Sequence, residues 1–225
     1  MKKITVLLAE DHMIVREGVR RMLELEADIE VVGEAADGRA AVAMVKRLRP
    51  AVVLMDIAMP QLNGLEATRQ ALKAVPETKV LMLSAHSDDA YVTNATESGA
   101  VGFLLKQTSA QDVCRAIREV HKGNTFFSPS ISRHLDYHRR QSAGRTGLPK
   151  SKVASLTSRE MEVLQLIAEG KANKETAAEL GIGVKTVEKH REHLMQKLNI
   201  HDTAGLTRYA IGAGIIESSV QVTIV

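Results

Sequence analysis

The sequence holds one cysteine, no tryptophan and only 3% aromatic residues. A single thiol, Cys114, excludes an internal disulfide and any cysteine-rich zinc site. So few aromatics leave no support for the base-stacking platforms of single-strand nucleic-acid binders. No apolar stretch approaches the roughly 18 residues that would suggest a membrane span. The N-terminus, MKKITVLLAEDH, starts with two lysines as a signal peptide does. Its apolar run ends at Ala9, and Glu10 and Asp11 follow at once, so a first β-strand is the expectation. These absences predict a cytoplasmic protein with no membrane partner. What remains is 225 residues, 44% hydrophobic and 25% charged, the balance of a globular chain with room for two ordinary domains.

Charge is unevenly placed. Residues 1–126 carry 16 Lys and Arg against 17 Asp and Glu, while residues 127–225 carry 14 against 10. The basic excess lies in the C-terminal part, a hint of a polyanionic partner there that a solvated basic surface would match equally well.

The first ~125 residues alternate short apolar runs with helical patterns. The runs are ITVLLA (4–9), IEVVGEA (29–35), AVVLMD (51–56), KVLMLSA (79–85) and GFLLK (102–106). Five such units predict an α/β domain: a doubly wound, five-stranded parallel sheet with helices on both faces. Residues 137–155 break the pattern with glycine, proline, serine and basic residues and read as a linker. From 156 onward the pattern is all helical, and a small all-α domain is expected. Thr157 and Glu160 form a capping-box signature, Asn173 stands where it could cap a second helix, and further helices are expected at Val184–Leu198 and Thr203–Gly212. The predicted division is 1–124, a helix or linker at 125–155, a second domain at 156–216 and a tail at 217–225.

In a doubly wound sheet, ligands bind beyond the carboxyl ends of the strands. The strand ends here supply Glu10 and Asp11, then Asp56, Ser84 and Lys106. Three carboxylates brought together repel one another and call for a cation. Mg²⁺ suits them, because it takes oxygen ligands and completes its shell with water and phosphate. Asp56 is then placed to attack phosphorus, with Ser84 and Lys106 on the phosphoryl oxygens. Each residue alone also reads as an ordinary exposed strand-end group; the ordered set is what points to chemistry.

Residues 4–122 resemble the receiver domain of bacterial two-component response regulators. The resemblance implies that Asp56 accepts phosphate from a histidine kinase and that Glu10, Asp11, Asp56 and the carbonyl of Ala58 bind Mg²⁺. It also implies that Ser84 and Lys106 contact the phosphoryl group and that Phe103, three residues before Lys106, is the switch aromatic. Ala58 and His86 take the positions that flank the attacking water. Gln107 departs from the proline that follows the lysine in many receivers, so the loop there is expected to differ.

ETAAELGIGVKTVEKH has the spacing of a helix-turn-helix: a small residue at 177, glycine at 181 and an apolar anchor at 187. On the 184–198 helix, Val187, Leu194 and Leu198 share one side, and Lys185, Lys189, Glu192 and Gln196 share the other. The polar side could enter a major groove or simply face water. LTSREMEVLQLIAEG, NKETAAELGI, VKTVEKHREHLMQKL and AGLTRYA resemble the LuxR-type domain of NarL/FixJ response regulators. That resemblance implies promoter DNA as partner, Val184–Leu198 as recognition helix and 203–212 as a dimer helix. Lys185 and Lys189 would be base or groove contacts. Asn173, Lys174, Thr186, His190 and Arg191 would be phosphate or structural contacts.

The expected function is therefore that of a response regulator, not an enzyme: phosphorylation of Asp56 would favour homodimerisation and DNA binding. One alternative is a phosphorylation-independent DNA-binding regulator with an unused receiver. Another, a phosphatase of the haloacid dehalogenase type, would need a DxD-type motif after the first strand, and none is there.

Overall fold

The computed structural model describes residues 3–85, 89–127 and 156–216. His86, the linker at 137–155 and the tail at 217–225 lie outside the described residues. The chain divides into two compact units, Met1–Lys150 and Ser151–Val225.

In the first unit, β1 (Ile4–Ala9), β2 (Ile29–Ala35), β3 (Val52–Asp56), β4 (Lys79–Ser84) and β5 (Gly102–Leu105) alternate with α1 (Met13–Glu24), α2 (Gly38–Leu48), α3 (Gly64–Ala74), α4 (Asp89–Glu97) and α5 (Ala110–His121). A sixth strand, β6 (Phe126–Phe127), pairs in parallel with β5 and corrects the expectation of five strands. Two residues are too short to leave a periodic trace in sequence. The sheet order is β2-β1-β3-β4-β5-β6, with every described pair parallel.

Period-two alternation along buried strands feeds two cores. Leu7, Val53, Met55, Val80, Met82 and Phe103 pack with Ala41, Val45, Leu65, Ala71 and Val92 from α2, α3 and α4. Val6, Leu8, Leu54, Leu81, Leu83 and Leu104 pack with Leu23 of α1 and with Val113, Ile117 and Val120 of α5. The helix starts are fixed by side-chain caps: Asp37 accepts from the N–H of Ala40, Asn63 from Glu66 and Ser109 from Asp112.

The second unit is four helices: α6 (Ser158–Ala168), α7 (Asn173–Leu180), α8 (Val184–Leu198) and α9 (Thr203–Gly212). The capping box of α6 is present, with Glu160 accepting from the N–H of Thr157 at 2.8 Å. Asn173 does not cap α7; it is the first helical residue and Ala172 holds the cap position. There Glu175 reaches back to the N–H of Ala172 at 2.8 Å, which leaves the Asn173 side chain available elsewhere. Gly181 closes α7 in the left-handed conformation, φ 62°, and so permits the tight turn into α8. Val187, Leu194 and Leu198 are buried, as the helical spacing predicts.

Candidate functional site

Parallel strands in register end together, and that is what gathers the polar residues. β1 and β3 pair Ala9 with Met55, so Glu10 and Asp56 follow at one edge. β4 and β5 pair Ser84 with Leu105, so Lys106 comes next. The N–H of Lys106 donates to the carbonyl of Ser84 at 2.8 Å, and the peptide bond that follows Lys106 is trans. A Cβ on Gly64 would stand 1.9 Å from the carbonyl oxygen of Asp56, so only glycine lets α3 begin this close to the strand end.

Asp56 is 1% exposed and Glu10 4%. Lys106 Nζ lies 2.9 Å from Asp56 Oδ2 and 3.0 Å from Glu10 Oε1. One ammonium thus faces two buried carboxylates, with Asp11 beside them. Asp56 Oδ1 is buried and accepts no hydrogen bond. Glu10 Oε2 is within 3.0 Å of Lys106 Nζ but lacks hydrogen-bond geometry. Burial, and then the Glu10 carboxylate, push Asp56 up to about 7 against the lowering effect of Lys106. For Lys106, burial pulls downward, but Asp56 and Glu10 outweigh it and the ammonium is held above its ordinary value. The cluster is short of positive charge, and an unpartnered buried carboxylate oxygen is unfavourable by about 1–3 kcal/mol or more. A divalent cation with a preference for oxygen ligands answers both deficits, so the residues fit Mg²⁺.

Ser84 is buried at the end of β4, Ala58 is half-buried in the β3–α3 loop, and Phe103 is fully buried in the core. Two neighbours escaped the sequence reading. Arg16 Nη1 donates to the carbonyls of Glu10 at 2.5 Å and Asp11 at 3.3 Å, fixing the backbone of the acidic pair. His12 places Nδ1 3.0 Å from Glu10 Oε1 and 2.9 Å from Asp11 Oδ1. The hydrogen bond to Glu10, and then the charge of Asp11, raise the pKa of His12. Ligand atoms of Glu10, Asp11, His12 and Asp56 all lie within 4.8 Å of one another. The signal for Arg16 was its place in the first helical turns after the acids; a lone histidine next to Asp11 gave none.

In the second unit, Lys185, Thr186 and Lys189 of α8 and Lys174 of α7 are exposed. Among the described residues none of these lysines forms a salt bridge, and Glu192 accepts from Gln196 rather than pairing with Lys189. His190 is half-buried. Arg191 is already engaged: it donates to Asn173 Oδ1 at 3.3 Å and to Thr203 Oγ1 at 2.6 Å, tying α8 to the starts of α7 and α9. Lys197 Nζ meets buried Glu160 at 2.6 Å and ties α8 to α6. α8, which carries Lys185 and Lys189, is therefore held to all three other helices.

Among the described residues, no helix is long and apolar enough to cross a membrane. The response regulator receiver domain family model matches residues 6–118, and the model of bacterial regulatory proteins of the luxR family matches residues 154–210. The transcriptional regulatory protein DegU of Brevibacillus brevis is 38% identical over 211 residues, 89% of each chain. The response regulator protein VraR of Staphylococcus aureus is 38% identical over 214 residues, 95% of this chain and 99% of VraR. Among solved structures, RcsB of Salmonella typhimurium matches at TM-score 0.62 and 27% identity over 95% of this chain and 99% of RcsB. RcsB is also seen as two dimers bound to two parallel DNAs, at TM-score 0.57 and 27% identity over 92% of this chain and 98% of that one.

Proposed function

Since this chain belongs to the response regulators that join a receiver domain to a LuxR-type DNA-binding domain, we propose that a histidine kinase phosphorylates Asp56 and thereby controls promoter binding. The observation that carries this reading is the buried, unpartnered Oδ1 of Asp56 beside Lys106 at the strand edge. The carboxylate forms an acyl phosphate as the bond to the kinase's histidine breaks, and Asp56 is the phosphoacceptor. Glu10, Asp11, Asp56 and the Ala58 carbonyl would hold Mg²⁺, which supplies charge neutralisation at the phosphoryl oxygens when bound. Lys106 leaves Asp56 Oδ2 for a phosphoryl oxygen, and Ser84 takes another. Phe103 is the aromatic whose packing distinguishes the two receiver states.

The output is carried by α8. Lys185 and Lys189 face the DNA groove, Lys174 and Thr186 contact phosphate, and His190 sits beside them. Asn173 and Arg191 act as structural contacts, consistent with their hydrogen bond. RcsB dimers on DNA support a DNA-bound homodimer; on this reading phosphorylation favours the dimer, and its two-fold symmetry matches two half-sites. The domain division 1–124, 125–155, 156–216 and 217–225 and a cytoplasmic location belong to the same reading.

Genome-wide footprinting with the full chain tests it, with and without a small phosphodonor and Mg²⁺. Protected promoters should gain occupancy on phosphorylation in the wild type and not in Asp56→Asn. Equal occupancy in all arms would favour a DNA-binding protein whose receiver is unused.

A further inference from the structure

The residue after the acidic pair offers the pocket a nitrogen. His12 Nδ1 lies 3.0 Å from Glu10 Oε1 and 2.9 Å from Asp11 Oδ1, and the second contact lacks hydrogen-bond geometry. An octahedral ion with bonds of about 2.1 Å holds adjacent ligand atoms about 3.0 Å apart and opposite ones about 4.2 Å apart. Those His12 separations match an octahedral edge, and the whole set of Glu10, Asp11, His12 and Asp56 falls within 4.8 Å, a spread that small side-chain movements would close onto an ion. Asp56, 1% exposed, keeps one buried oxygen without a hydrogen bond, and its carboxylate contributes an oxygen to the same cluster. The imidazole is 57% exposed, so it can trade a carboxylate contact for a metal bond without being dragged from a core. The backbone N–H of His12 also donates to Glu10 Oε1 at 3.1 Å, which keeps the side chain near the pocket whatever its ring does.

Mg²⁺ is a hard ion that keeps oxygen ligands and water, and an imidazole adds little to its binding. First-row transition ions gain from imidazole, and they bind mixed nitrogen–oxygen sites more tightly. We propose that His12 completes an imidazole–carboxylate site that binds first-row transition ions in preference to Mg²⁺. This rests on reading Glu10, Asp11 and Asp56 as the cation pocket. The consequence is that the pocket is selective as well as acidic, and that the metal present decides which ion accompanies the receiver's chemistry.

Co²⁺ is a suitable probe, because its visible absorption reports binding and its paramagnetism shifts the N–H proton of a coordinated imidazole. Chelator-stripped full-length wild type, His12→Gln and Asp56→Asn are titrated with Co²⁺ and, separately, with Mg²⁺. Wild type should show a shifted, exchangeable imidazole resonance, and Co²⁺ should displace Mg²⁺. His12→Gln should lose that resonance and bind Co²⁺ roughly tenfold more weakly or worse, with Mg²⁺ affinity within about twofold. Asp56→Asn should weaken both ions, which separates this pocket from the seven other histidines. If His12→Gln keeps the resonance and the Co²⁺ affinity, or loses both ions equally, His12 is not a ligand and the proposal falls. If neither ion binds in an Asp56-dependent way, the cation pocket itself has been misread.

Discussion

Asp56 in the first unit and Glu160 in the second are both nearly sealed from water, at 1% and 3% exposure. Glu160 spends its charge on neighbours: it accepts from the N–H of Thr157 and meets Lys197 at 2.6 Å. Glu162, also buried, meets Arg159 at 2.6 Å. No oxygen of either is stranded. Asp56 and Glu10 share one lysine and each keeps a buried oxygen without a hydrogen bond. Glu66 shows that the difference is not a habit of the first unit, since at 1% exposure it is satisfied by Arg69, Gln70 and the helix start it occupies. Glu160, Glu162 and Glu66 are satisfied within the fold and hold helices in place, whereas Asp56 and Glu10 leave oxygens over, as the proposed cation pocket requires.

The sharpest way to strain this contrast is to remove the shared cation. Lys106→Met leaves two buried carboxylates facing each other, and denaturant melts should show a loss of about 3 kcal/mol in the first unit, partly restored by saturating Mg²⁺. A neutral result would mean that Asp56 and Glu10 are less frustrated than their geometry implies.

Glu160→Gln probes the opposite case and should lower the stability of the second unit by roughly 1–2 kcal/mol, with no rescue by any metal. Burial raises Glu160, but the bond from Lys197 and the N–H of Thr157 outweigh it, so its folded value lies below the usual 4.5. A depressed folded pKa makes the stabilisation complete above about pH 4.5 and lost as the pH falls through the folded value. The gap between wild type and Glu160→Gln in thermal melts should therefore close below that pH.

Smaller effects are expected on the exposed face of α8 and at the start of α7, where charges meet water in the free protein. Lys189→Ala should relax base preference at one half-site position by on the order of 1 kcal/mol. Lys174→Ala should weaken all sequences alike and flatten the slope of log K against log salt by about 1. Binding selections across salt concentrations check both. An intact motif with a lowered salt slope for Lys189→Ala would reassign it to phosphate.

Much of this was legible in the sequence because it depends on period and order. Buried parallel strands read as apolar runs, and strands in register must end together, so Glu10, Asp56, Ser84 and Lys106 could be placed at one edge from spacing alone. The face of α8 followed from a 100° step. What was not legible depends on tertiary pairing. Asn173 looks like a cap, yet Glu175 fills that role and Asn173 meets Arg191, a residue 18 positions later. Arg191 reads from sequence as either a phosphate or a structural contact, and only the fold shows that it donates to Asn173 and Thr203. His12 has no periodic partner, and only the folded loop shows it against two carboxylates. β6 is two residues long and is defined by its neighbour rather than by itself.

The central claim is that the stranded oxygens at the strand edge exist for phosphoryl chemistry at Asp56. Intact-mass measurement after incubation with Mg²⁺ and a small phosphodonor tests it most directly. Wild type should gain one hydroxylamine-sensitive phosphate, and Asp56→Asn should gain none. Equal incorporation by the mutant, or none by the folded wild type, would contradict the account.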